Sequence, residues 1–373
     1  MKILFTCGGT AGHINPALAL ARIIQERKPD CQILFVGAKD GMEERLVPQA
    51  GYRLETITIG SFWRKMTWSG ITHNANSLRK LQIAKQESRR ILDQFQPDIV
   101  LGTGGYASYP VVREAAQRGI PTAVHESNAV PGLTTRRLAP YVDCVMTGLP
   151  DSSVHYSQAK RVIHTGTPIR GEFLDISRGE AREKLGIPQG APVVLSMWGS
   201  LGANQMNRHM VDFIEESLRH DLEFYLIHAA GGSCDTMLTE LAERGIELPR
   251  RIRVEEYIYD MPAAMMAADL VLCRGGASTL SELTVIGKAA IIVPSPNVTN
   301  DHQRKNAAVL EAQGAVRMIL EEDCSGASLY QETARLLGES ETRREMERAI
   351  GAAGIADATE RIYQILLKLL QKR

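Results

Sequence analysis

The chain has no apolar run approaching the ~20 residues that span a bilayer, so the sequence offers no membrane-crossing helix. Its six cysteines (Cys7, Cys31, Cys144, Cys234, Cys273 and Cys324) form no C-x-x-C pair and have no histidines at metal-ligand spacing. They read as reduced thiols, without a structural zinc or a disulfide framework. No two aspartates stand two residues apart, so the D-x-D arrangement that holds a divalent ion is missing. Forty-three Lys and Arg balance 43 Asp and Glu, which removes the global electrostatic case for nucleic acid. After Lys2 only Ile3-Leu4-Phe5 precede polar and glycine residues, which reads as a strand rather than a secretory signal. No fixed-period repeat or low-complexity tract is present.

What the chain does have is core-forming material and glycine-rich turns. At 373 residues with 44% hydrophobic content, it suggests two globular domains. Short apolar runs recur, each ending in a polar or glycine cluster. Lys2–Cys7 runs into Gly8-Gly9-Thr10-Ala11-Gly12-His13, with Asn15 as a reasonable N-cap and Pro16 at the first helical position. The strand 97–101 ends in Gly102-Thr103-Gly104-Gly105-Tyr106, and the strand 121–125 in Glu126-Ser127-Asn128. Such loops at the carboxyl ends of parallel strands form the ligand side of an open α/β sheet. The pattern restarts near His164-Thr165-Gly166-Thr167-Pro168, and the strand Val193–Met197 leads into Trp198-Gly199-Ser200-Leu201-Gly202-Ala203. Together these features predict two Rossmann-like, doubly wound parallel-sheet domains facing a cleft. The expected limits are 1–165, 166–355 and a C-terminal helix, 356–373, packing back on the first domain.

The stretch Leu270–Pro294 carries the most chemistry. The strand Leu270–Cys273 turns through Arg274-Gly275-Gly276 into a helix starting near Ala277–Thr279 and stopping at Gly287. A helix N-terminus after a glycine turn is an anion site. Glu282, read as lying in the first helical turn, would repel a phosphate there and suits the diol of a ribose. The alternative is a capping box, Thr279-x-x-Glu282. His13 likewise has two readings, a helix-start residue bonded to backbone or a general base. The segment 62–95 carries seven Lys and Arg (64, 65, 79, 80, 85, 89, 90) against Glu87 and Asp93, interleaved with Phe62, Trp63 and Trp68. It reads as a surface for anionic lipid, or else as a solvated helix with a buried stripe. Asp40, after the strand Gln32–Val36, leaves a nicotinamide-dependent enzyme as a rival.

Two Rossmann-like halves with a diphosphate turn in the second point to a nucleotide-sugar glycosyltransferase of the GT-B type. GGTAGHINPALALA, the LVP at 46–48, GTGGYASYP, HESNAVPGLTTR, TPIR, GSLGA, RGGASTLSE and DHQRKNA follow one another in order. In this set the chain resembles the N-acetylglucosaminyltransferases of glycosyltransferase family 28, which act in bacterial peptidoglycan synthesis. The likeness runs from Lys2 to about Thr359.

The resemblance implies UDP-N-acetylglucosamine as donor, with diphosphate held by Ser200 and by Ala277, Ser278 and Thr279. Glu282 would take the ribose hydroxyls, backbone at Ile258 the uracil edge, and Gln303 and Asn128 the sugar. Thr10, Ala11, Gly12 and Arg170 would also meet the donor. The acceptor would be undecaprenyl-linked lipid I, its pyrophosphate among the glycine loops that include Tyr106. His13 would be the base, with Glu126 as the alternative or as its orienting partner. No cofactor or metal is implied. The enzyme would sit peripherally on anionic lipid at the cytoplasmic face of the cell membrane, beside other cell-wall enzymes. A glycosyltransferase acting on diacylglycerol and a non-catalytic membrane-docked scaffold are the other readings. Three positions depart from the family pattern: Trp198 replaces a usual glycine, Thr167 a common asparagine, and Ala11 a frequent glycine.

Overall fold

A computed structural model describes residues 1–60, 68–150, 152–199, 202–220 and 222–371, with the side chains of 68–78 and Thr299 outside the description. The chain divides into two compact units, one of residues 1–170 and 355–373, the other of residues 171–354.

Unit 1 alternates strands and helices: β1 (Lys2–Thr6), α1 (Ala11–Arg27), β2 (Gln32–Ala38), α2 (Glu43–Gln49), β3 (Arg53–Ile57), α3 (Trp68–Phe95), β4 (Ile99–Gly102), α4 (Ser108–Gln117), β5 (Thr122–Glu126), α5 (Leu133–Leu138), β6 (Cys144–Thr147) and β7 (Val162–His164). The strands form one parallel sheet in the order β3-β2-β1-β4-β5-β6-β7. Because successive strand residues face opposite sides, each strand supplies two cores. Ile3, Phe5, Ile99 and Leu101 pack with Ile14, Leu20 and Ile24 of α1. Leu4, Val100 and Val124 pack on the other face with Ile91 and Leu92 of α3 and Val111 and Val112 of α4. With both faces covered, the strands read as continuous apolar runs, as buried parallel strands do.

Unit 2 repeats the plan with α6 (Arg178–Leu185), β8 (Val193–Met197), α7 (Asn204–Arg219), β9 (Tyr225–Ala229), α8 (Cys234–Glu243), β10 (Ile252–Glu255), α9 (Met261–Ala267), β11 (Leu270–Cys273), α10 (Ala277–Ile286), β12 (Ala290–Ile292), α11 (His302–Glu311), β13 (Arg317–Met318), α12 (Gly326–Gly338) and α13 (Ser340–Ala352). Its parallel sheet runs β10-β9-β8-β11-β12-β13. Val194, Leu226, Leu270 and Leu272 form a core with Met206, Met210 and Phe213 of α7 and Leu329 of α12. The last helix, α14 (Ala358–Leu370), belongs to unit 1. Its apolar stripe of Ile362, Ile365, Leu366 and Leu369 joins the α1 core, and Arg27 of α1 pairs with Glu360 and stands over the Tyr363 ring.

One helix start and the place of Glu282 differ from the sequence expectation. α1 begins at Ala11, not after Asn15, with extended Thr10 as N-cap and the His13 and Ile14 amides closing on the Thr10 carbonyl. The turn at Gly9 (φ +87°) lets the chain enter the helix early, which puts His13 in the first turn and Pro16 inside. α10 begins at Ala277 with Gly276 as N-cap, so Glu282 falls in the second turn and Thr279-x-x-Glu282 is no capping box. The helix does end at Gly287, in the left-handed conformation (φ +66°) that favours glycine.

His228 on β9 is fully buried, and its Nδ1 lies 3.1 Å from Ser196 Oγ, which in turn donates to Met210 Sδ at 3.4 Å. That network places the proton on Nδ1 and leaves Nε2 as a bare acceptor without a partner among the described residues. Burial pushes this imidazole down to about 4 from its usual 6.5. Between those pH values the unfolded chain takes up a proton that the folded protein refuses, so stability falls as pH drops from about 6.5 to 4. The expected loss is about 3 kcal/mol. Urea midpoints across that range should show the slope in the wild type and a shallower one in His228→Asn. Equal slopes would remove His228 as its source.

Candidate functional site

In each unit the strand order reverses beside the first strand, between β1 and β4 in unit 1 and between β8 and β11 in unit 2. Loops at such a switch point splay apart and leave a crevice at the strand carboxyl ends. The glycine clusters noted in the sequence occupy these loops.

In unit 1 the structure brings together His13, Thr10–Gly12 and Tyr106. His13 is half-buried, and its Nδ1 lies 2.9 Å from the Gly8 carbonyl and 3.3 Å from Thr10 Oγ1. A carbonyl can only accept, so Nδ1 carries the proton and Nε2 presents its lone pair. Among the described residues Nε2 has no hydrogen-bond partner, which is the state a general base needs. The backbone is pinned as well, since Thr103 Oγ1 donates to the His13 carbonyl at 2.7 Å. Gly104 (φ +103°) is required here, because a Cβ would stand 2.6 Å from His13 Cδ2. Ser108 Oγ bonds to the Gly104 and Thr6 carbonyls and fixes the turn. The Tyr106 ring lies against Gly9, and burial and then the Glu43 charge push its phenol up.

Glu126 ends β5 and is buried, with both carboxylate oxygens engaged. Oε1 accepts from the Asn128 backbone N–H (3.1 Å) and Nδ2 (2.9 Å), and Oε2 from the Gly132 N–H (3.0 Å) and Thr135 Oγ1 (2.8 Å). Four donors on one carboxylate occupy both oxygens and fix its position, which suits a loop anchor better than a proton acceptor. Asn128 is thereby held by Glu126. The preceding His125 is buried and bonds through Nε2 to the Gly166 carbonyl at 2.9 Å. Arg170 is exposed and is the last residue of unit 1 before the chain leaves it.

In unit 2 the Arg274-Gly275-Gly276 turn is built against α11. A Cβ on Gly275 would overlap the Gln303 carbonyl, and Asn306 Nδ2 donates to the Gly275 carbonyl at 3.1 Å. Gln303 Oε1 accepts the Ser295 N–H at 2.9 Å. Arg274 pairs with Glu321, bonds to the Val293 carbonyl at 3.0 Å and stands 5.9 Å over the Trp198 ring. Ala277, Ser278 and Thr279 form the first turn of α10, whose N-cap Gly276 contributes no side-chain acceptor. Glu282 is half-buried one turn on. Ile258, after the edge strand β10, is buried between exposed Tyr257 and Tyr259. Ser200 lies outside the described residues. Trp198 points into the core of unit 2 with Met206 and Met210.

The sequence reading missed Glu43, Thr103, Ser108 and Thr135. In the sequence Glu43 is one of two adjacent glutamates, Glu43-Glu44, and only its complete burial sets it apart.

The family model described as the glycosyltransferase family 28 N-terminal domain matches residues 3–147, and that of the C-terminal domain matches residues 193–362. A UDP-N-acetylglucosamine–N-acetylmuramyl-(pentapeptide) pyrophosphoryl-undecaprenol N-acetylglucosamine transferase of Acetivibrio thermocellus is 41% identical over 100% of this chain and 99% of its own. One of the same name from Bacillus thuringiensis is 37% identical over 100% of both chains. The crystal structure of Acinetobacter baumannii MurG superimposes with a TM-score of 0.77 at 26% identity, covering 100% of this chain and 99% of that one. The Neisseria meningitidis UDP-GlcNAc 2-epimerase bound to UDP-GlcNAc shares the fold at a TM-score of 0.66 and 14% identity, over 99% and 100% of the two chains. With both domain models matched and such relatives along its whole length, this GT-B chain belongs to glycosyltransferase family 28.

Proposed function

We propose that this chain transfers N-acetylglucosamine from UDP-N-acetylglucosamine to the muramoyl 4-hydroxyl of undecaprenyl-linked lipid I, giving β-1,4-linked lipid II for peptidoglycan synthesis. Full-length identity of 41% to a transferase of that name carries the reading. The donor is α-linked and the product β-linked, so one displacement inverts the anomeric carbon. His13 Nε2 takes the hydroxyl proton as the new bond forms. Glu126 holds the 128–132 loop and is not the base. Negative charge grows on the departing UDP, and the first turn of α10, Ala277–Thr279, meets it with backbone dipoles, together with Ser200. Glu282 takes the ribose hydroxyls, backbone at Ile258 the uracil edge, and Gln303 and Asn128 the sugar. Thr10, Ala11, Gly12 and Arg170 complete the donor contacts, and Tyr106 meets the lipid I pyrophosphate.

Among the described residues no helix is long and apolar enough to cross a membrane. The surface proposed for anionic lipid at the cytoplasmic face is the basic segment 62–95, whose described part includes α3. A groove of about 240 Å³ there is lined by Lys85, Tyr109 and Arg113, and Arg113 stacks 3.6 Å over the exposed ring of Tyr141. Phe62, Trp63, Arg64 and Lys65 lie outside the described residues. Other cell-wall enzymes are the expected neighbours at that surface.

Transfer of labelled N-acetylglucosamine to a lipid I analogue, with EDTA present, tests the assignment. Robust transfer is expected. Transfer to diacylglycerol instead, or donor binding without turnover, would replace it with the glycolipid or the scaffold reading.

A further inference from the structure

One peptide group links the base to a buried carboxylate. The Gly8 carbonyl accepts from His13 Nδ1 at 2.9 Å, while the N–H on the other side of that peptide bond, from Gly9, donates to Glu43 Oε1 at 3.0 Å. Glu43 is fully buried at the start of α2, and its Oε1 also takes the Ala38 N–H at 3.4 Å. Glycines around it make the room. A Cβ on Gly8 would stand 2.7 Å from Oε1, one on Gly37 would stand 2.8 Å from Glu43 Cβ, and one on Gly41 would overlap Oε2. Gly105 (φ +81°) lies so close to the Gly8 carbonyl that any Cβ there would displace it. The peptide is thus clamped from both ends.

We propose that Glu43 is a positioning residue that acts on His13 through the Gly8–Gly9 peptide, fixing the Nδ1–H tautomer and strengthening Nε2 as the base. The inference rests on the reading of His13 as base. Amide resonance joins the two bonds, so a carboxylate that polarises the N–H pushes electron density onto the carbonyl oxygen and makes it a stronger acceptor. Hydrogen bonds in such chains reinforce one another where water is excluded. The arrangement works as a carboxylate–histidine pair does, with one peptide group interposed. During transfer Nε2 gains the hydroxyl proton, Nδ1 keeps its own, and the proton count on Glu43 does not change. Among the described residues, the titratable groups that feel the carboxylate include the Cys7 thiol and the Tyr106 phenol. Burial first, and the Glu43 charge second, keep both neutral.

Glu43→Gln keeps the shape and removes the charge. Its kcat should fall by about 10-fold or more, with the donor KM unchanged and the acidic limb of the kcat profile displaced to lower pH. In ¹⁵N spectra of histidine-labelled protein, the His13 ring (assigned with His13→Gln) should lose its preference for Nδ1–H. Glu43→Asp, which keeps the charge but draws it back, should shift the same signals part-way and serves as the reporter if the glutamine variant does not fold. Because Glu43 lies in unit 1, a cooperative thermal unfolding transition like that of the wild type reports folding. A folded variant with an unchanged His13 spectrum and pH profile overturns the proposal. A changed spectrum with an unchanged rate profile upholds the Glu43–His13 link and overturns His13 as the base.

Discussion

His13→Ala should lower kcat by about two to four orders of magnitude, the range that a positioned general base supplies. The expectation rests on how completely the imidazole is held. The Gly8 carbonyl fixes the tautomer, Thr103 fixes the backbone, and the absent side chain of Gly104 leaves room for the ring. The other acid–base candidate is already committed, since Glu126 spends both oxygens on four donors between Asn128 and Thr135. The donor KM should move little, because the proposed diphosphate, ribose and uracil contacts come from unit 2. Steady-state transfer from labelled donor measures both constants. A kcat within tenfold of wild type would return His13 to a purely structural role.

The second large effect concerns stability. Arg182 of α6 is fully buried, with Nε on the Ala267 carbonyl at 3.1 Å and the guanidinium paired to Asp269 at 2.8 Å. It also donates to the Pro188 and Gln189 carbonyls. Asp269 accepts the Val193 N–H at 2.8 Å and pairs with Arg178. One carboxylate therefore ties α6 to the starts of β8 and β11, the two strands flanking the unit 2 switch point. Asp269→Ala leaves a buried cation without its partner, which costs about 3–5 kcal/mol and lowers the melting temperature by about 10 °C or more. Adding Arg182→Met should recover part of the loss by removing the stranded charge. Thermal unfolding of the three proteins decides it. If the double variant is no better than the single, the stranded charge is not the cause.

The fold was largely legible in the sequence because buried parallel strands must be apolar and must end in loops free to turn. Leu270–Cys273 and the helix stop at Gly287 appear in the structure as read. The start of α1 was not legible. It follows paired glycines, and a residue with positive φ, such as Gly9, can swing the chain into a helix before any capping side chain appears.

By itself the sequence determined the two-domain α/β plan, the family, and the loops in which the chemistry sits. Those follow from local composition, hydrophobic period and the order of motifs, which are properties of neighbours along the chain. Only the tertiary structure decided what Glu126 and Glu43 touch. A glutamate in HESN and another in MEERLVP look alike as titratable groups. One meets four donors within its own loop, whereas the other is carried across 34 residues to the Gly9 N–H and shut away from solvent. That distinction depends on which groups the sheet places together at the ends of β1, β2 and β4, and on the glycines that leave a carboxylate room to stand there.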